Sequence, residues 1–332
     1  MTFKYENVYL NETATITGPY EEKGPLSKYY DKSYHDLYFK EKTWELAEIK
    51  MLTESIDILF SKIGLRRCDV DVHISGDLLN QIVSSNYSAA KIGIPLIGVY
   101  AACSTSTLGL IVASNMIDAN EVKNAIVSVS SHNCGSEKQF RQPVEYGGPK
   151  PKTATFTVTG AASAFLSNKE SKIKIVSATL GTVVDADQKD AFHMGAVMAP
   201  AAAKTIFTHL KNTNTTVSDY DLILTGDLGR YGKDILKEFM KIEYGIELNN
   251  LDDSACMIYD LDNQPVYAGA SGPACIPLVT YGYIIDKMKK GKLKRVLMVA
   301  TGALMSQSMV NEKQSIPAIS HAVCLEANIW YI

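Results

Sequence analysis

The sequence lacks most of the signatures that would assign its chemistry at once. It has no Gly-x-x-x-x-Gly-Lys loop and no Gly-x-Gly-x-x-Gly turn, so nothing announces a backbone cradle for phosphate, and nucleotide binding has no support. Its six cysteines, at 68, 103, 134, 256, 275 and 324, never come as Cys-x-x-Cys and never stand at metal spacing with a histidine. That excludes a zinc module and reads as a reducing compartment. There is no run of five or six like charges, and Lys plus Arg (33) nearly cancels Asp plus Glu (36). A polyelectrolyte signature for nucleic acid or anionic lipid is therefore missing, and a partner must be found by shape and local polarity. The first residues, Met1-Thr2-Phe3-Lys4-Tyr5-Glu6-Asn7, have no apolar core of a secretory signal, so the expectation is a cytoplasmic protein.

What is present is the balance of a globular protein with a large core, 46% hydrophobic and 21% charged over 332 residues, enough for two domains. Residues 92–117 carry no charge, a length that tempts a membrane span at about 20 residues. Gly93, Pro95, Gly98 and Ser104-Thr105-Ser106-Thr107 interrupt it. A buried strand followed by a buried helix gives the same uncharged length and is the reading adopted, with peripheral membrane association left open.

The most informative large-scale feature is an internal repeat. Val70-Asp71-Val72-His73-Ile74-Ser75-Gly76-Asp77-Leu78 matches Tyr220-Asp221-Leu222-Ile223-Leu224-Thr225-Gly226-Asp227-Leu228 as a strand ending in Gly-Asp-Leu. Each copy continues to a small-residue turn, Ala101-Ala102-Cys103-Ser104 and Ala270-Ser271-Gly272-Pro273, then to an apolar helix, a charged turn and a buried strand at 125–130 and 295–300. Strand, small turn, helix and strand make a βαβ unit, and two copies predict two similar halves, residues 1–168 and 169–332. The matching loops should meet where the halves join, a favoured place for a ligand. Leu52, Ile56, Leu59, Phe60 and Ile63 mark one face of a helix that Gly64 stops. The first 40 residues, with Tyr20, Tyr29, Tyr30, Tyr34 and Tyr38 among glycine and proline, read as an irregular arm or interface, or as a solvated loop.

Cys103 follows a short strand and opens a helix, where backbone N–H groups and the helix dipole lower a thiol pKa. A packed core cysteine is the alternative. The turn Gly98-Val99-Tyr100-Ala101-Ala102-Cys103-Ser104-Thr105 resembles the nucleophile turn of the thiolase and ketoacyl-synthase superfamily. Thr159-Gly160-Ala161-Ala162-Ser163-Ala164 resembles its Gly-Ala strand, and Gly269-Ala270-Ser271-Gly272-Pro273 its second-half Gly-Asn-Thr-Ser turn. The resemblance covers essentially the whole chain and implies a thiolase-like α/β fold, two βαβ-containing halves packed as α-β-α-β-α layers.

Within that superfamily, four segments resemble the thiolase-like component of the SpoVA machinery, with which spore-forming bacteria move dipicolinic acid (pyridine-2,6-dicarboxylate) into the developing spore. These are Ser136-Glu137-Lys138-Gln139-Phe140-Arg141, Glu145-Tyr146-Gly147-Gly148, Met194-Gly195-Ala196-Val197-Met198-Ala199-Pro200 and Thr225-Gly226-Asp227-Leu228-Gly229-Arg230.

The resemblance also implies what is lost. The position of the synthase histidine is taken by Asp227 and that of the partner asparagine by Ala270. A positioned acid–base group contributes roughly 10²–10⁴ in rate and an oxyanion donor about 10²–10³. A carboxylate beside Cys103 would also oppose the thiolate and the oxyanion. The reading is a pseudoenzyme that binds dipicolinic acid in the old acyl pocket, with Cys103, His193, Asp227, Arg230, Gly272 and His321 as candidate ligand groups. Arg230 would fork onto a carboxylate. Asp227 has a second reading, an N-cap for the helix after Leu228, which Asp77 at the matching place supports; each histidine and Arg230 has a plain structural alternative. Asp252-Asp253 and Asp185-x-Asp187 lack the spacing of a calcium loop and read as surface loops.

No cofactor is expected except calcium entering together with dipicolinate. The implied partners are the other SpoVA membrane proteins at the forespore inner membrane and a second copy of the chain. Two rival functions stand beside this one: an acyltransferase or ketoacyl-synthase-like enzyme using Cys103 as nucleophile, and a purely structural subunit.

Overall fold

Ten short strands rich in small and β-branched residues carry the architecture, and they arrange themselves twice in the same way. In the computed structural model, which describes residues 1–140 and 150–328, the first half contributes β1 (Tyr9–Thr17), β2 (Val72–Gly76), β3 (Leu96–Gly98), β4 (Asn124–Ser131) and β5 (Gly160–Ser167), in the order β1-β5-β4-β2-β3. The second half contributes β6 (Ile173–Thr179), β7 (Leu222–Thr225), β8 (Leu251–Asp253), β9 (Arg295–Ala303) and β10 (Ala318–Ala327), in the order β6-β10-β9-β7-β8. Parallel and antiparallel neighbours match strand for strand. The two sheets join where β1 and β6 pair through Tyr9 with Lys174 and Leu10 with Ile173.

Helices α1 (Trp44–Ile63) and α2 (Val83–Ile92) cover the outside of the first sheet. Between the sheets lie α3 (Thr105–Asp118) and, after α4 (Asn133–Phe140), α5 (Met194–Thr213) and α6 (Gly229–Tyr244), the helical segment α7 at residues 275–289. Helices α5 and α6 cover the outside of the second sheet, completing five layers, α-β-α-β-α. The largest apolar cluster draws on both halves, with Ile74, Leu110 and Val127 packed in one body with Met298, Ala300 and Val323.

The uncharged stretch resolves into β3 and α3. Helix α3 touches both sheets and is buried over most of its length, its one charge being Asp118 at the end, and Gly109 lets it approach Val127 to within the reach of a single methyl group. Among the described residues no helix is long and apolar enough to cross a membrane. Helix α1 is capped by the Thr43 hydroxyl, which accepts from the Leu46 N–H, and it ends at Gly64 with φ 68°.

The N-terminal reading needs correction. Residues 9–17 are not an irregular arm but strand β1 in the middle of the sheet, and Thr2–Lys4 pairs with β6 of the other half. Polar threonines hid the strand. Thr13 donates to the Tyr281 carbonyl, the Thr15 N–H donates to Asp31, and Thr17 shares a hydrogen bond with Ser33, so each is buried with a partner. Of the tyrosines that follow, Tyr20, Tyr29 and Tyr30 pack against the main apolar cluster, Tyr29 meeting Tyr283 of α7 edge-on, while Tyr38 is exposed. Arg141 and Glu145-Tyr146-Gly147-Gly148 lie outside the described residues.

The halves approach backbone to backbone beside the Cys103 turn. A Cβ on Gly302 of β9 would stand 2.2 Å from the Ala101 carbonyl oxygen. Gly302→Ala is accordingly expected to cost about 1–3 kcal/mol, the usual range for overpacking. Urea unfolding checks this, and a variant as stable as the parent would mean that the two halves part there freely.

Candidate functional site

Parallel strands deliver their loops to one edge of a sheet, and here the carboxyl ends of both sets converge. The Cys103 turn is held by its own small residues. Ala102 takes φ 48°, residues 102–104 make a single tight helical turn, and α3 starts at Thr105. The Ala101 N–H donates to the Thr105 hydroxyl, which donates to the Ala102 carbonyl. The Ser104 hydroxyl donates across to Ala300 of β9 at 3.0 Å. Gly76 at the end of β2 leaves room for the Val99 carbonyl, since a Cβ there would lie 2.1 Å from that oxygen.

Cys103, partly exposed, lines a narrow recess of about 60 Å³ with Tyr100, Glu137, Thr157, Met198 and Ser271. The recess shares Leu78, Tyr100, Phe140 and Met305 with a wider vestibule of about 630 Å³. The vestibule is rich in neutral donors, including Asn80, Gln81, Gln139 and Gln307. Among the described residues neither chamber is lined by a lysine or arginine. As the repeat predicts, both small-residue turns reach the recess, through Cys103 and Ser271, and so does the first Gly-Asp-Leu loop, through Leu78.

The second Gly-Asp-Leu loop does not. Asp227, at φ 75°, is fully buried and lines neither chamber. Both carboxyl oxygens are orphaned: the Gly272 N–H and the Cys275 thiol lean toward them without completing a hydrogen bond of ordinary geometry. Burial first, and the neighbouring Asp253 second, push its pKa well above the usual carboxylate range, so it stands as a neutral acid. The same burial, with Asp227, Asp253 and Cys103 nearby, pushes the Cys275 thiol well up.

The capping reading of Asp227 is therefore overturned, and the reading of Asp253 as a surface residue with it. Asp253 is fully buried at the end of β8 and does the capping itself, accepting from Leu228 N–H at 3.3 Å, Gly229 N–H at 3.0 Å and the Thr225 hydroxyl at 2.7 Å. Its pKa rises only to about 6, burial being opposed by these donors. Asp77 in the first half does cap, accepting from Ser85 N–H at 2.8 Å and Ser85 Oγ at 2.7 Å. It lies near buried Glu48, whose pKa is pushed up to about 8 by burial and then by Asp77. Asp185 and Asp187 are exposed.

Three further candidates fall away from the cavity. His193 caps α5, its Nδ1 accepting from the Ala196 N–H at 3.3 Å, while Met194 and Met198 of the same helix face the recess. His321 is buried in β10, accepts from the Gly181 N–H at 3.1 Å, and is lowered to about 4 by burial, so it is a neutral structural group. Arg230 turns outward to the Leu261 carbonyl and to Asp262, in a separate surface hollow with Lys23 and Tyr259. Gly272 serves by its absence of a side chain: at φ 108°, a Cβ would lie 2.9 Å from Ser131 Oγ. Ala270 is fully buried and offers no donor from its side chain.

The groups that sequence reasoning passed over are Glu137, Lys150 and the vestibule amides. Glu137 forms the recess wall and pairs with Lys150 at 2.8 Å. It stands within a segment that carries the family resemblance, but only the fold shows that α4 turns it toward Cys103. Gln139, two residues on, clamps the opposite wall, its side chain accepting from Asn80 N–H and donating to the Leu78 carbonyl, both at 2.8 Å.

A sequence model of the family described as stage V sporulation protein AD (SpoVAD) matches residues 1–326. The stage V sporulation protein AD of Bacillus subtilis (strain 168) is 44% identical over 327 residues, spanning 98% of this chain and 96% of that protein. Among solved structures, a variant of Xanthomonas campestris OleA superposes with a TM-score of 0.60 at 14% identity over 98% of this chain and 99% of that one. The 3-oxoacyl-[acyl-carrier-protein] synthase III of Aquifex aeolicus VF5 superposes with a TM-score of 0.53 at 16% identity, over 96% and 97%. At such identities the structural likeness speaks for the thiolase-like fold alone.

A carboxyl whose folded pKa is raised contributes stability that is complete below the unfolded pKa and is lost as pH rises above it. Asp227→Asn keeps the shape and stays neutral. It should match the parent at about pH 4 and exceed it by roughly 1–4 kcal/mol at about pH 7. Urea unfolding at both pH values checks this; equal stability at both would mean that the carboxyl ionises freely in the folded protein.

Proposed function

Because this chain belongs to the stage V sporulation protein AD family, we propose that it is a non-catalytic thiolase-fold protein of sporulation whose Cys103 cavity binds dipicolinic acid. In this reading it supports transport of that acid into the developing spore, as a homodimer working with SpoVA membrane proteins at the forespore inner membrane. The observation that carries the proposal is the separation of the old nucleophile from any base of the expected kind. Cys103 still opens on a cavity, while Asp227 is a sealed neutral acid and the two candidate histidines cap a helix and hold a loop. What is left is a pocket without a histidine among its described lining residues to serve Cys103 as base.

The lining chooses the form of the ligand. A dianion entering chambers that have no lining cation among the described residues would be poorly compensated, whereas amide and hydroxyl donors such as Gln81, Gln139 and Ser271 suit carboxylate oxygens that have already been neutralised. Calcium entering together with dipicolinate supplies that neutralisation, so binding should be tighter with calcium than without. The vestibule has room for a ligand of this size. At about 0.3–0.5 kcal/mol per non-hydrogen atom, such a ligand binds in roughly the 0.05–2 mM range.

One observation favours an acyltransferase instead: Glu137 stands in the same recess as Cys103. A mass increase on Cys103 after incubation with acyl-coenzyme A would establish that reading.

Calorimetric titration with dipicolinate, with and without calcium, tests the proposal. Saturable binding is expected, weakened by about tenfold or more when Ser271→Trp or Cys103→Trp fills the recess, and unchanged in Arg230→Ala, which lies elsewhere. Absence of heat up to several millimolar in both conditions, on the scale of that estimate, would overturn the binding role.

A further inference from the structure

The charge pattern read along the chain misses a feature that folding assembles. Six of the nine residues from 287 to 295 are cationic, interrupted by single uncharged residues rather than joined in one run. They close α7 and lead into β9. Backbone hydrogen bonds bring a second basic turn beside them: the Ala327 N–H donates to the Lys294 carbonyl, and the next residue, Asn328, donates to the Lys172 carbonyl. Lys169 is fixed at the same end, its carbonyl accepting from Asn11. Lys28 joins from the N-terminal segment, where Tyr29 packs edge-on against Tyr283 and Lys28 and Lys287 lie over those two rings.

Acidic side chains at this end are outnumbered by the cations. Glu12 reaches Lys289 at 3.7 Å, Asp286 pairs with Lys290 at 2.8 Å, Glu326 approaches Arg295 at 3.7 Å, and Asp221 accepts from the Lys294 and Arg295 N–H groups at 2.6 and 2.8 Å. Glu170 is exposed among the lysines. Lys28, Lys169, Lys172, Lys174, Lys287, Lys292 and Lys294 carry no ion pair among the described residues. This end is thus net positive on a chain of formal charge −3.

We propose that this lysine-rich end, built by the turns at 168–174 and 290–294 with Lys28 and Tyr29, docks the protein on an anionic lipid surface. The inference rests on the membrane association in the proposed function and names the face that makes it. A bilayer fits better than an acidic protein for two reasons. The cations are almost all lysines, flexible point charges that suit a field of headgroup phosphates rather than the forked geometry of one carboxylate. They also border tyrosines, which favour the boundary between lipid and water. The docked protein would present its cavity away from the bilayer, because Arg295 and the cavity-lining Ala303 sit at opposite ends of one strand.

Flotation of the full chain with phosphatidylethanolamine vesicles, with and without phosphatidylglycerol, tests this. Binding should require phosphatidylglycerol and be released by salt. Each lysine removed should weaken it by about fivefold, so Lys172→Glu, Lys292→Glu and Lys294→Glu together should abolish it. The same charge change at Lys204, Lys211 and Lys237, exposed on the outer helices α5 and α6, should leave most of it. Equal binding to both vesicle types, no binding at all, or equal loss in the two triple variants would overturn the proposal. So would capture by soluble polyglutamate without capture by vesicles, which would make the partner an acidic chain. Dipicolinate titration of the same variants keeps the two readings apart: retained ligand binding with lost flotation concerns the lipid face alone.

Discussion

The closeness of the two halves at the Cys103 turn is the constraint on which the rest of the site depends. Helix α3 lies between two sheets, so the turn that starts it is pressed from both sides by backbone rather than by adjustable side chains. Gly302 admits the Ala101 carbonyl, Gly76 admits that of Val99, and Ser104 fastens the turn to Ala300. Contacts of this kind have no slack, since a single methyl group at either glycine would overlap an oxygen. The cavity is therefore a fixed gap at the carboxyl ends of the parallel strands, the usual place for a ligand in an α/β sheet.

On the pseudoenzyme reading proposed above, that rigidity also explains how the cavity would lose its chemistry without losing its shape. Acyl transfer needs a base in reach of the nucleophile and donors aimed at an oxyanion, contributions of roughly 10²–10⁴ and 10²–10³ that do not simply multiply. Asp227 offers neither. Sealed behind the recess, it is held neutral by burial and by Asp253, with the buried Cys275 thiol and the Gly272 N–H beside it. Asp253 differs because donors surround it: three backbone N–H groups and the Thr225 hydroxyl hold its rise to about 6. Burial raises both carboxyls, and the hydrogen bonds that Asp253 receives and Asp227 lacks set the two apart.

The duplication, the uncharged strand and helix, and the Cys103 turn were legible in the sequence because each is a local pattern. A strand ending in Gly-Asp-Leu looks the same in both copies. Its aspartates have opposite fates because a residue far along the chain intervenes: Asp253 takes the helix cap that Asp77 takes for itself in the first half. No local pattern carries that. Strand β1 was hidden by threonines whose partners, Tyr281, Asp31 and Ser33, come from other segments. Arg230 looked ligand-facing from its motif, yet α6 starts in an orientation that turns it toward Leu261. Glu137 and Gln139 were passed over because only the fold brings α4 to the cavity.

The two ends of the molecule are electrically separate, and distance decides the point. Strand β9 runs from Arg295 in the basic end to Ala303 at the recess, eight steps of about 3.3 Å or roughly 26 Å. In physiological salt the screening length is about 8 Å. The lysine field is thus screened through solvent by about twenty-five-fold at the cavity mouth. These lysines therefore cannot serve as counter-charge for an anion in the cavity, whose lining among the described residues carries no lysine or arginine. The same separation lets one end hold to an anionic surface without altering what the other end binds. A duplicated fold provides this division, because its loops at the carboxyl ends are committed to the cavity while its opposite turns remain free to carry charge.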